Sequence, residues 1–216
     1  MKLFAVWRLL LLVFLFGIGS CTTAPRAVNP YFEMPPEHLL IAERELFSLA
    51  LQQQKNNKLK SSIGLWTRFL ANNPRSFRGY NNLGMVYYTN EQLSLALSAF
   101  ETALDLEPFG HKIKENLKRT LRFQITLLRE NKDYDAAIQL LERISKLSEE
   151  SERKKVALQI QTMVNNIFEK VKRFNSLEDY EVFLAKYPNS PGYSNEARRR
   201  IERIKFQRSL MGKKSP

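Results

Sequence analysis

FRGYNNLGMVYYTNEQLSLALSAFETALDLEP, residues 77–108, alternates large and small side chains at intervals that suit a pair of packed helices. Counting Phe77 as position 1, Tyr80 falls at 4, Leu83 at 7, Gly84 at 8 and Tyr87 at 11. Ala96 then falls at 20, Phe100 at 24, Ala103 at 27 and Pro108 at 32. Two antiparallel helices approach closely only where small residues let the backbones come together, which assigns Gly84, Ala96 and Ala103 to the contact. Tyr80, Leu83, Tyr87 and Phe100 fill the space around them from positions three and four apart on each helix.

This pattern resembles the tetratricopeptide repeat (TPR), a helix–turn–helix unit of about 34 residues that stacks on its neighbours. The resemblance implies an all-α, TPR-like α-solenoid that binds other polypeptides rather than transforming them. Pro74 precedes Pro108 by one such period, and Leu46, Leu49, Ala50, Ser62, Trp66 and Phe69 place an earlier unit ahead of it, with its turn at Asn56-Asn57. Asparagine accepts the left-handed backbone that such a turn needs. Pro35 and Pro36 are compatible with a first helical turn and Glu37 with the positive end of a helix, so helix is expected from Pro36 onward.

Downstream, residues 133–144 (DYDAAIQLLERI) carry Ala137, Leu141 and Ile144 at the spacing of a second repeat helix. They arrive seven residues late, about two helical turns, so the preceding helix can lengthen without rotating its apolar face. A long amphipathic helix follows through Val156, Ile160, Met163, Val164, Ile167, Val171 and Phe174, then a helix capped by Ser176, then one capped by Ser190. The expected architecture is about four antiparallel pairs, in units 37–74, 75–108, 109–148 and 150–188, with a capping helix over 191–210 and a basic tail over 211–216. Ala197, Ile201, Ile204 and Phe206 cover the open end of the stack. Trp66 is expected to be packed.

The chain opens on Lys2 and Arg8, then an apolar run, LLLLVFLFGI over 9–18, that is too short to cross a bilayer. Residues 1–20 read as an export signal. Ile18-Gly19-Ser20-Cys21 resembles the lipobox of bacterial lipoproteins, with Ile where Leu is commonest. That resemblance implies that Cys21 is acylated and becomes the first residue of the mature chain. Thr22, where an Asp would retain the protein at the inner membrane, implies the outer membrane facing the periplasm, provided the envelope has two membranes. Residues 22–36 (TTAPRAVNPYFEMPP) have no helical period. They form either a flexible tether behind the acylated end or a strap packed on the first hairpin through Tyr31 and Phe32.

Residues 180–204 (YEVFLAKYPNSPGYSNEARRRIERI) are similar to repeats of periplasmic TPR lipoproteins, among them a small subunit of the β-barrel assembly machine and the TPR domain of a cell-division coordinator. The implied role is a membrane-tethered scaffold that helps a cell-envelope complex assemble or localise, as pilotins do for type IV pili. In TPR arrays, positions 2, 5, 9 and 12 of each first helix usually line the concave groove. That rule gives Arg44, Phe47 and Leu51 from the first unit and Arg78, Asn81, Met85 and Tyr88 from the second. By helical register it adds Arg119, Arg122 and Arg129. Such a groove suits a partner segment with apolar anchors and carboxylates, since arginine binds carboxylates in bidentate fashion.

The formal charge is +12. Export argues against nucleic acid as the partner, and no aromatic-studded basic motif of the RNA-binding kind is present. Arg198, Arg199, Arg200, Arg203, Lys205 and Arg208 form a basic set on the last helix, either a solvated face or a contact for anionic lipid or peptidoglycan. No cofactor, metal or small-molecule substrate is expected, and no enzyme. His38 and His111 lie near separate helix starts, and no HExxH, GxSxG, SxxK or phosphate-loop motif occurs. The acidic group Glu149, Glu150 and Glu152 reads as an exposed charge cluster.

Overall fold

Gly84 has no side chain because Phe100 takes that space: a β-carbon there would lie 2.7 Å from the Phe100 ring. The close approach joins α3 (Phe77–Thr89) to α4 (Leu93–Leu106), and Ala96, Phe100 and Ala103 are fully buried against it. The same plan recurs along the chain. Ahead of this pair stand α1 (Ile41–Lys55) and α2 (Leu59–Asn72), and behind it α5 (His111–Glu130) with α6 (Tyr134–Leu147) and α7 (Glu150–Phe174) with α8 (Leu177–Lys186). The last helix, α9 (Tyr193–Gly212), packs on α8. The structure, a computed structural model, describes residues 31–212. The export segment, Cys21, residues 22–30 and the end of the basic tail lie outside those residues.

The described chain is all-α: four helix pairs and a capping helix, each helix packed mainly on its neighbours in sequence. Every turn inside a pair holds one residue in left-handed conformation: Asn57, Glu91, Lys132 and Asn175, with φ between 50° and 59°. In the first three pairs it is the middle residue of a three-residue turn; in the fourth, Asn175 directly follows α7. Side-chain caps fix three helix starts: Ser76 accepts from Gly79 N, Asp133 from Ala136 N and Ser176 from Asp179 N. Helix α5 has 20 residues against 13 in α3, the seven-residue extension that the late arrival of Ala137 requires.

Two aromatic clusters anchor the ends of the stack. Phe47, Trp66 and Phe69 meet edge-on in the first pair, and Phe168 gathers Tyr180, Phe183 and Tyr193 in the last. Several expectations need correction. The first helix begins at Ile41, not at Pro36, because residues 32–36 form no regular element and the chain turns over 37–39. Leu49 is exposed while Phe47 and Leu51 are buried, so the inward stripe of α1 runs through those two and Ala50. Phe174 and Phe206 are exposed, and the open end is covered by Ala197, Ile201 and a half-buried Ile204. Ser190 caps no helix through its side chain; α9 starts at Tyr193, with Ser190 O accepting from Ser194 N.

Candidate functional site

The segment before the first helix lies across the inner faces of α3 and α5, and side chains of those helices hold its main chain. Tyr31 O accepts from Asn81 Nδ2 and from Asn116 Nδ2, both at 3.0 Å. Phe32 O accepts from Lys112 Nζ at 3.0 Å. Asn82 treats Glu33 as a strand neighbour would: its Oδ1 accepts from Glu33 N and its Nδ2 donates to Glu33 O, both at 2.8 Å. Met34 O accepts from Arg78 at 3.1 Å. Four consecutive carbonyls are therefore taken by groove side chains, as an extended peptide with no partner strand requires. Residues 31–34 are thus held as a strap. The strap rests on the second and third pairs rather than on the first hairpin.

Side chains add selectivity to this main-chain grip. The Tyr31 ring lies under the Arg119 guanidinium, 3.3 Å from its carbon, and Phe32 is buried in the core cluster. The Glu33 carboxylate sits between Arg78 at 3.7 Å and Lys112 at 3.4 Å. Beside the Tyr31 ring lies a cleft of about 890 Å³, lined also by Tyr88, His111, Glu115, Arg119, Arg122, Phe123 and Thr126. Tyr88 and Phe123 meet edge-on at 6.0 Å on one wall. A second cleft, of about 450 Å³, shares Thr126 and continues past Arg129 to Tyr134 and Met163.

Of the residues expected to line the groove, Tyr88, Arg119, Arg122 and Arg129 border these clefts. Phe47, Leu51 and Met85 do not line it; they are core residues, because neighbouring helices close over them and Phe47 turns its ring onto Trp66. Asn81 is fully buried under the strap, and Arg78 is engaged with it. Arg44 points away, donating to Glu37 O in the turn before α1. Asn82 and Asn116, which make half of the strap hydrogen bonds, were not among the expected residues. They stand one 34-residue period apart, at the same place in successive units, and that recurrence is the signal that identifies them.

Beneath the open cleft, Lys118 is buried and bonds Glu115 and Glu152, both at 2.6 Å, while Arg122 pairs with Glu152. Glu152 is thus a structural acid tying α5 to α7, and the exposed-cluster reading of it is corrected. Burial opposes its charge, but hydrogen bonds from Lys118 and Ser148, with the Lys118 and Arg122 charges, hold its carboxyl below the usual 4.5. Burial likewise opposes charge on Lys118, yet Glu115 and Glu152 hold it above its usual 10.5. Asp135 is also held low: against burial, it accepts from Tyr187 at 2.6 Å and from Lys186 at 2.9 Å.

A depressed carboxylate contributes stability above its unfolded pKa and loses it as pH falls through the folded value. Glu152→Gln and Asp135→Asn are therefore expected to melt below the parent at about pH 7, with the gap closing as pH drops below about 4. Thermal melts across that range check this; a gap that persists in acid refutes it.

The basic set on α9 divides. Arg200 bonds Glu196 and Tyr180, Arg198 bonds Pro188 O, and Lys205 faces Glu181. Arg199, Arg203 and Arg208 are exposed. His38 and His111 are exposed at separate places, and no group of three metal-ligating side chains occurs among the described residues.

A family model described as tetratricopeptide repeat matches residues 77–109. Together with the nine described helices it establishes the fold as an all-α, TPR-like solenoid. No curated protein matches the chain. Among solved structures, a MamA RS-1 ArsTM double mutant aligns at 9% identity with TM-score 0.42, covering 78% of this chain and 97% of that one. YrrB, described as a TPR protein with an unusual peptide-binding site, aligns at 17% identity with TM-score 0.38, covering 79% and 91%.

Proposed function

We propose that this protein is a membrane-tethered scaffold that holds an extended segment of a partner protein in its inner groove and so assists assembly or localisation of a cell-envelope complex. The observation that carries this reading is the strap: α3 and α5 hold a stretch of polypeptide by its main chain, beside a cleft that Arg119 and Arg122 border. A scaffold role also follows from the fold, since the chain carries a TPR and TPR arrays are interaction surfaces. Lipid attachment at Cys21 would place this groove at a membrane surface, with residues 22–30 as the spacer.

Recovery of partners from detergent-solubilised bacterial envelopes tests the groove. The parent chain is expected to retain a stoichiometric protein partner, and Arg119→Glu with Arg122→Glu is expected to lose it at least about tenfold. Unchanged recovery would remove the groove from the account. Palmitate incorporation, expected for the parent and absent from Cys21→Ser, tests the anchor separately. A second reading, contact with an anionic surface, rests on Arg199, Arg203 and Arg208, which are exposed and make no ion pair among the described residues. Sedimentation with anionic vesicles or isolated sacculi decides it.

A further inference from the structure

Residues 31–34 are held more completely than a chain terminus passing over a surface requires. A strap that merely filled an apolar gap would need Phe32 in the core and little else. Here four successive carbonyls and one N–H are met by side chains from two helices. The helices present these groups in a repeating set: Arg78 and Asn82 on α3 are followed, one period later, by Lys112 and Asn116 on α5. Asn116 also holds Asn81 Oδ1 at 2.8 Å, so the amides order one another across the two helices. The Asn116 Oδ1 acceptor, in a residue 1% exposed, has no partner among the described residues.

We infer that α3 and α5 form a peptide clamp selective for two aromatic residues followed by a carboxylate, that Tyr31-Phe32-Glu33 is its resident ligand, and that a partner segment of this chemistry competes for the site. This rests on the groove reading above and specifies its partner. The selectivity follows from the three side-chain positions. The first residue stacks under Arg119, which favours an aromatic face. The second enters the core, which requires a large apolar group. The third lies between two cations, 3.4 and 3.7 Å away, which favours an acid and rejects a base.

The covalent link gives the strap an effective concentration in the millimolar range, so a partner binds the parent chain only after displacing it. A partner segment that continues past the first aromatic reaches the cleft at Tyr88, Arg122 and Phe123 and adds contacts there.

The test uses a fluorescein-labelled peptide of residues 29–36, NPYFEMPP, and the full chain. Glu33→Lys in the chain places a third cation beside Arg78 and Lys112, weakening the strap while leaving Phe32 to fill its core position. Fluorescence anisotropy is expected to show the peptide binding the Glu33→Lys chain at least about tenfold tighter than the parent. Asn82→Ala and Asn116→Ala, each added to Glu33→Lys, are expected to weaken it at least about tenfold, and a peptide carrying Glu33→Lys is expected not to bind. Circular dichroism and thermal melts confirm that each chain is folded. If an Asn→Ala chain is not, the altered peptide on the folded Glu33→Lys chain still decides.

No saturable binding to the folded Glu33→Lys chain, or equal binding of the parent and altered peptides, overturns the inference. A parent chain that sediments as a dimer dissolved by Glu33→Lys would assign the clamp to a second copy and overturn it too. Failed peptide binding with partner recovery still dependent on Arg119 and Arg122 removes the strap as ligand and leaves the groove. Peptide binding with recovery indifferent to those arginines does the reverse.

Discussion

Trp66→Ala is expected to lower stability by about 3–5 kcal/mol, the usual cost of truncating a fully buried aromatic to alanine. Trp66 is wholly inaccessible, with the Phe47 ring edge-on at 4.7 Å and Phe69 at 5.9 Å. The first pair has no comparable mass to collapse into the space, because the far side of α1 is exposed, carrying polar residues with Ile41, Ala42 and Leu49. A polar penalty adds to the cavity. The indole Nε1 donates to Gln54 Oε1 at 3.2 Å, and the buried Gln54 spends its amide on Asn82 O at 3.3 Å. Without Trp66, Gln54 keeps a buried acceptor with no donor, at a further cost of about 1–3 kcal/mol if water does not reach it.

Gln54 also links the first pair to the helix that holds the strap, so damage at Trp66 reaches the clamp. Trp66→Phe keeps most of the volume and isolates the hydrogen-bond loss. Urea unfolding measures both. In a Trp7→Phe background, Trp66 is the sole tryptophan, and its emission is expected to be blue-shifted when folded and to move red on unfolding. An alanine variant with an unchanged midpoint, or a water-exposed folded spectrum, would contradict the packing described.

The repeat was readable because two helices leave a strict record where they touch. Gly84, Ala96 and Ala103 have to be small and Phe100 has to be large, whatever the chain does elsewhere. The left-handed turn at Asn57 was readable for the same local reason, and the length of α5 followed from counting turns. The groove was harder, because it depends on what covers it. Positions 5 and 9 of a first helix face the concavity only if that concavity is open. In α1 and α3 those places hold Phe47, Leu51, Asn81 and Met85, and all four are covered.

Nothing in the period of the helices announces a strap, since its hydrogen bonds come from side chains 44 to 85 residues away. Asn82 and Asn116 read singly as indifferent mid-helix residues. Only their recurrence at one repeat length distinguishes them. Phe168 was overlooked for a different reason. In a 25-residue helix several apolar stripes compete, and the one followed through Ile167 and Val171 ends on Phe174, which is exposed.

Phe168→Ala is expected to cost about as much as the tryptophan change, roughly 3–5 kcal/mol, but to act on a different part of the molecule. The Phe168 ring is fully buried and lies 4.9 Å from Phe183, 5.2 Å from Tyr193 and 6.3 Å from Tyr180. One side chain of α7 thus touches rings from both α8 and α9. Polar ties add to this: Tyr180 donates to Asn175 Oδ1 at 3.0 Å, and Lys186 and Tyr187 reach Asp135 on α6. In a stack where each pair contacts chiefly its neighbours, stability is nearly a sum of local terms and a terminal unit can open alone.

The loss should therefore appear as a separate early transition of the C-terminal half of α7 with α8 and α9, since the N-terminal half of α7 stays tied to α5 through Glu152. Amide hydrogen exchange, read by mass spectrometry on the full chain, is expected to lose protection over 160–204 while 77–106 stays protected. Uniform loss across the chain would mean that the stack unfolds as one block, against the neighbour-by-neighbour account. The strap clamp gives an independent readout of the same distinction. It is built from α3 and α5, so the labelled peptide should bind a chain carrying Glu33→Lys and Phe168→Ala as well as one carrying Glu33→Lys alone, at temperatures where the C-terminal helices have already opened.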